Sequence, residues 1–234
     1  MNANRKTAII AGALWIIASV AGVLGYGVFL NPILSATDYL FQVSANEIQI
    51  ITGAFLILVM AVAVAWIPVM LFPILKKHHE ALAVGYLGAR IIECVILIVG
   101  DISLLSLLTL SQEFVKAGAP ATSYFQTLGT LLLAAGDWTF LLGPGIAFSI
   151  TALILNYLLY QSRLVPRFLS VWGLIGATML FAYDVLQIWG FNLPLIVALP
   201  IALQEMVFAV WLIVKGFNPS AIDSESARTD MNQV

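Results

Sequence analysis

The chain has 234 residues, 62% of them hydrophobic and 9% charged, with a formal net charge of −2 and a mean hydropathy of +1.02. That is too apolar for one soluble domain and reads as a single polytopic membrane domain, so the lipid bilayer is the first partner. No basic run tracks a phosphate backbone, which argues against nucleic acid, and the lone cysteine, Cys94, rules out a disulfide within one chain and any cysteine-based zinc site.

Arg5 and Lys6 precede an apolar stretch from Thr7 to Leu30, longer than the roughly 7–15 residues of a cleaved signal core. It reads as an uncleaved first span. Further windows long enough to cross about 30 Å of hydrocarbon follow, giving spans near 7–30, 48–74, 81–111, 123–161, 168–189 and 195–217. The breaks are chemically marked by Asn31-Pro32 with Asp38, Lys76 to Glu80, Glu113 to Pro120, Ser162 to Arg167, and Asn192 to Pro194. Residues 218–234 read as a polar, disordered tail.

The third and fourth segments are about 31 and 39 residues, roughly 46 and 58 Å as straight helices, beyond what tilt absorbs. Both should project past the outer face. With the stretch from Pro32 to Glu47, whose Tyr39, Leu40, Phe41 and Val43 could rest on the interface, they would form a small outer cap. The fourth segment has an alternative, a break near Gly136 with an interfacial helix from Ser123. Gly143-Pro144-Gly145 should interrupt that helix, either as a packing kink or as a broken helix whose freed carbonyls line a cavity. Pro68, Pro73 and Pro200 read as ordinary kinks, and Trp15, Trp66, Trp138, Trp172, Trp189 and Trp211 mostly as interface anchors near span ends.

The informative residues are the ionisable ones inside apolar runs. Tyr86, Arg90, Glu93, Leu97 and Asp101 recur at i, i+3 and i+4 spacing, so they share one narrow helix face. Placing a charge near the bilayer centre costs on the order of 2.5–3.5 kcal/mol on insertion scales, so that face should point into protein or a polar cavity. Arg90, Glu93 and Glu205 fall nearest the midplane, Asp184 in the outer half, and Asp101 and Asp137 near the outer interface. One arginine cannot neutralise three acids, so Glu93, Asp184 and Glu205 cannot all stay ionised unless a cation or water compensates. Gln204, Gln187 and Tyr183 extend the polar surface, with interhelical hydrogen bonding as the plain reading. Six helices with both ends inside also permit two inverted three-helix halves, in which Glu93 and Glu205 correspond.

Only two histidines exist, the adjacent His78 and His79, so two spans cannot each offer an axial ligand to haem. No His-Glu-x-x-His pair and no Gly-x-Ser-x-Gly elbow occur. No cofactor is called for, and a carboxylate-based enzyme acting on lipid ranks third among the readings.

The stretches Asn4 to Ala8, Gly85 to Glu93, Leu104 to Glu113, Arg163-Leu164-Val165-Pro166-Arg167 and Leu203-Gln204-Glu205, in that order, resemble the bacterial multi-pass family called domain of unknown function 4386. The resemblance spans about residues 5 to 220. It implies a bacterial inner-membrane protein of this size and helix count and carries no activity.

The expected fold is an all-α bundle of six transmembrane helices with N- and C-termini cytoplasmic. The expected site is built by Arg90, Glu93, Asp184 and Glu205, with Gln204, Gln187 and Tyr86 beside it. The leading function is binding or translocation of a small solute or ion, with proton coupling an added option. The rival is a non-transporting membrane or stress-related subunit with a structural polar cluster. Oligomeric state is not legible.

Positively charged segments stay on the cytoplasmic side. Arg5, Lys6, Lys76, Lys77, Arg163, Arg167, Lys215 and Arg228 then lie inside, and Lys116 alone lies outside. Reporter fusions after Lys77, Arg163 and Phe217 should therefore score cytoplasmic, and those after Asp38, Ala119 and Asn192 external. A cytoplasmic signal at Ala119 would contradict the six-span topology.

Overall fold

A backbone surrounded by hydrocarbon has no water to bond with, so each long apolar stretch must satisfy its own N–H and C=O groups as a helix. A computed structural model describes residues 3–120, 124–191 and 193–222, and its regular structure is helical throughout. Helix α1 (Ala3–Gly22) passes through a π-helical stretch, Val23–Leu30, into the single turn α2 (Asn31–Leu34), and the short α3 (Tyr39–Ala45) follows. Next come α4 (Glu47–His78) and α5 (Glu80–Lys116). Helix α6 (Tyr124–Phe140) runs through a second π-helical stretch, Leu141–Ala147, into α7 (Phe148–Ser162). After α8 (Arg167–Ile188), a 3₁₀ turn (Leu195–Ala198) opens α9 (Leu199–Val214).

Six continuous segments are long and apolar enough to cross a membrane: Ala3–Leu34, Glu47–His78, Glu80–Lys116, Tyr124–Ser162, Arg167–Ile188 and Ile196–Val214. The chain is a multi-pass helical membrane protein. Ser123, Asn192 and Arg228, invoked above for an interfacial helix, a loop and a tail charge, lie outside the described residues.

One alternative for the fourth segment is corrected: it does not break at Gly136, which lies inside α6. At Gly143-Pro144-Gly145 the α-helix gives way to a π-helical stretch and does not end in a broken helix. Proline lacks the N–H an α-helix needs and crowds the preceding turn. A π-helical stretch widens the turn locally and lets the helix continue past the misfit. The 39-residue segment from Tyr124 to Ser162 is therefore one helix with a wide turn.

The chain forms two compact units, residues 1–16, 63–92 and 145–234 in one and 17–62 and 93–144 in the other. They do not coincide with the two three-helix halves of an inverted repeat. The first unit packs Trp15, Ile67, Leu71, Tyr86, Leu159 and Phe208 into its main core. The second packs Leu30, Val43, Ile50, Leu107, Phe114 and Phe125. Leu40 and Val43 of α3, expected to rest on the membrane interface, are buried in that second core, while Phe41 points outward.

Within the first unit, Arg5 closes the end of α9. Its guanidinium donates to the carbonyls of Leu212 at 2.9 Å, of Ile213, and of Val214 at 3.1 Å. Those are carbonyls that a helix C-terminus leaves unbonded, and a cation is favourable there. Beyond α9 the Asn218 N–H donates to the Leu164 carbonyl at 2.8 Å and Ala221 is buried. The part of the expected tail up to residue 222 is therefore held, and residues 223–234 lie outside the described set.

Helices α7 and α8 meet at Gly173, where a Cβ would stand 2.1 Å from Asn156 Oδ1 and 2.3 Å from its Cγ. Asn156 is buried and hydrogen-bonded, so it cannot swing aside without losing those bonds. Gly173→Ala should lower stability by about 1–3 kcal/mol, the usual cost of overpacking. Gly88→Ala is the control, since nothing stands within 4 Å of a Cβ there, and it should be neutral or stabilising. Melting of the two detergent-purified variants checks this.

Candidate functional site

Along α5, Tyr86, Arg90, Glu93 and Leu97 of the expected stripe are buried, Asp101 at its end is half-buried, and Ala83 continues the buried face one turn earlier. Arg90 is 2% exposed. A guanidinium stays protonated under any ordinary condition, so its charge has to be met where it lies.

Helix α9 meets it with Glu205, whose Oε1 is 3.8 Å from Arg90 Nη2, an ion-pair distance. The same oxygen accepts a hydrogen bond from Trp15 Nε1–H at 2.7 Å. Trp15 is thus no interface anchor. It is 3% exposed, held edge-to-face against Phe208 with ring centroids 5.1 Å apart. The reason is chemical, because an indole N–H taken into the interior needs an acceptor and Glu205 supplies one.

Three aromatic rings also face Arg90. Its guanidinium carbon lies 5.9 Å from the Trp15 ring centroid, 5.8 Å from Tyr86 and 5.2 Å from Phe148. Ring faces attract a cation by about 0.5–1 kcal/mol each at exposed sites and about 2 kcal/mol or more when it is desolvated. The Glu205 carboxylate and these rings take over part of what water does for a cation at a surface.

Beside this pair runs a buried amide network. Gln204 Nε2 donates to Asn156 Oδ1 at 3.3 Å and to the Leu169 carbonyl at 3.2 Å. Asn156 Nδ2 donates to the Ala152 carbonyl at 2.9 Å. The network ties α7, α8 and α9 together, the interhelical role expected of Gln204. Between network and ion pair lies a cavity of about 10 Å³, lined by Trp15, Arg90, Asn156, Gln204, Glu205 and Phe208 among others. It has room for one water.

Asp184 and its neighbours stand apart from that cavity. Asp184 is buried on α8, against Gly145 and facing Ser149, and does not line that cavity. Tyr183 beside it is buried, and Gln187 one turn on is half-buried. Glu93 is buried in the second unit, one turn along α5 from Arg90. In that unit Asp101 is half-buried and Asp137 exposed. The structure thus gathers Tyr86, Arg90, Gln204 and Glu205 into one site and seats Asp184 in another. Sequence reasoning missed Trp15, Phe148 and Asn156. Asn156 was visible as an amide in an apolar run, whereas nothing in the sequence sets Trp15 apart from the other tryptophans.

These features define a class first: a six-span helical membrane protein with a desolvated arginine–glutamate pair in its interior. A family model described as Domain of unknown function (DUF4386) matches residues 10–216, and the chain belongs to that family. No curated protein and no solved structure matches it.

Trp15→Phe keeps the ring and removes the donor to Glu205. It should destabilise the protein by about 1–3 kcal/mol, since a hydrogen bond to a charged group is lost with little change of shape. Trp66→Phe, at an exposed position, should change stability by no more than about 0.5 kcal/mol. Unfolding in detergent, read by circular dichroism, distinguishes the two.

Proposed function

We propose that this protein sits in a bacterial inner membrane with both termini in the cytoplasm and binds or translocates a small ion or solute at the Arg90–Glu205 pair, with Glu205 carrying an exchangeable proton. The observation that supports this reading is the water-sized cavity against an arginine–carboxylate pair inside apolar spans. Charged groups in such spans are costly, and where they persist they commonly mark ion and proton pathways. Arg90 holds the carboxylate in place and sets its charge balance. Asn156 and Gln204 give a water in the cavity amide groups to bond with. At about 10 Å³ the cavity suits a proton carried by water better than an organic solute, which would need the helices to part.

A second reading, a non-transporting membrane subunit whose polar cluster is structural, is favoured by one feature. Trp15, the aromatic rings and the amide network together surround the pair closely, as packing glue would.

Proteoliposomes carrying an internal pH-sensitive dye and an imposed potential separate the two. The wild type should acidify the lumen faster than empty vesicles. Glu205→Gln, which retains the shape, should fold and fall to the empty-vesicle rate. Wild-type flux equal to that of empty vesicles would favour the structural role.

A further inference from the structure

Asp184 is an anomaly the Arg90 site does not absorb. It is 4% exposed, and a Cβ placed on Gly145 would stand 2.9 Å from its Cγ and 3.0 Å from each carboxylate oxygen. The carboxylate therefore lies flat over a residue that has no side chain. Gly145 belongs to the π-helical stretch around Pro144, so the wide turn and the missing side chain create the seat together. Ser149, the first turn of α7, faces the carboxylate with its hydroxyl. Yet Asp184 Oδ2 and Ser149 Oγ are both buried and neither completes a hydrogen bond of normal geometry.

The cation of α5, Arg90, stands against the Phe148 ring and pairs with Glu205, and among the described residues no ion pair joins it to Asp184. From Leu141 to Ser162, which covers the π-helical stretch and α7, no Asp, Glu, Lys, Arg or His occurs, and Tyr157 and Tyr160 are exposed positions farther along. The 3₁₀ turn Leu195–Ala198 carries no ionisable group, and α9 carries only Glu205, whose oxygen is engaged by Trp15 and Arg90. On α8 itself the ionisable neighbours are Tyr183 and, at the opposite end of the helix, Arg167. A buried carboxylate without a cationic side chain calls for a cation from solution. The charge to be met is one. Among the described residues no group of three or more His, Cys, Asp or Glu is placed to hold a metal ion, so a divalent cage is absent.

We infer that Asp184, seated on Gly145 and flanked by Ser149, is a binding site for a single small hard monovalent cation, a proton or Na⁺. Two carboxylate oxygens and one hydroxyl oxygen are hard ligands, and the glycine lets the carboxylate lie against the backbone where any other residue would put a methyl group. This site goes beyond the Arg90–Glu205 reading by naming where a coupling cation sits. Its occupancy is read by stability and not by flux, so either can fail alone.

Whatever binds the folded state and not the unfolded one raises the melting temperature with concentration. Purified full-length protein is melted in two series. One holds choline chloride constant while pH falls from about 9 to 5, in the range where a buried carboxyl can take up its proton. The other holds pH near 9 and replaces choline by Na⁺, with K⁺ as the ionic-strength control. Stabilisation on lowering pH, with no preference for Na⁺ over K⁺, identifies the proton. Stabilisation by Na⁺ over K⁺ identifies sodium. In either case Asp184→Asn should lose the response while Glu205→Gln keeps it, and Ser149→Ala should weaken the apparent cation affinity about three- to tenfold. Should Asp184→Asn fail to fold, Ser149→Ala carries the test. The inference is overturned if wild type responds in neither series, or if Asp184→Asn or Ser149→Ala responds as wild type does.

Discussion

A guanidinium in the middle of an apolar helix is the constraint from which most of this structure follows. Arg90 cannot shed its proton, and hydrocarbon cannot solvate it. Everything near it is chosen accordingly. Glu205 supplies the opposite charge at 3.8 Å, and Trp15 fixes that carboxylate by a 2.7 Å hydrogen bond. The faces of Trp15, Tyr86 and Phe148 take the place of a hydration shell. Because those residues come from α1, α5, α7 and α9, satisfying one charge brings four helices of the first unit together.

The same logic extends to α8. An amide in a dry interior must find partners, so Asn156 and Gln204 bond to each other and to backbone carbonyls on α7 and α8. Gly173 lets α8 come close enough for this, since Asn156 occupies the space its side chain would fill. Polar bonds and small residues therefore do the work of association where lipid leaves little hydrophobic drive between helices. The π-helical stretch around Pro144 is a related compromise. It absorbs a proline without ending the helix and, through Gly145, gives Asp184 its seat.

Span positions and the buried face of α5 were legible in the sequence, because hydropathy over about 20 residues and a period of 3.6 are both local properties. The stripe from Tyr86 to Leu97 needed no partner to be recognised. What the sequence could not supply was which groups meet across helices. Trp15 is one of six tryptophans in or near the spans, and only the position of Glu205, 190 residues later, makes it a donor to a buried carboxylate. Asp184 was grouped with Arg90 on charge alone, yet charge says nothing of which side of α8 faces α7. That Gly143-Pro144-Gly145 disturbs the helix was legible because proline's missing N–H is a local fact, whereas the wider turn that keeps the helix going depends on the packing around it.

That Glu205 is the carboxylate that compensates Arg90 is tested most directly by a double-mutant cycle on detergent unfolding, using Arg90→Gln, Glu205→Gln and the two combined. Partners that satisfy each other are non-additive: each single change strands a buried group, and the second change relieves it. The double variant should be more stable than the sum of the single effects predicts by about 1–3 kcal/mol. Effects that add to within about 0.5 kcal/mol would contradict the pairing and send the search for Arg90's counter-charge elsewhere.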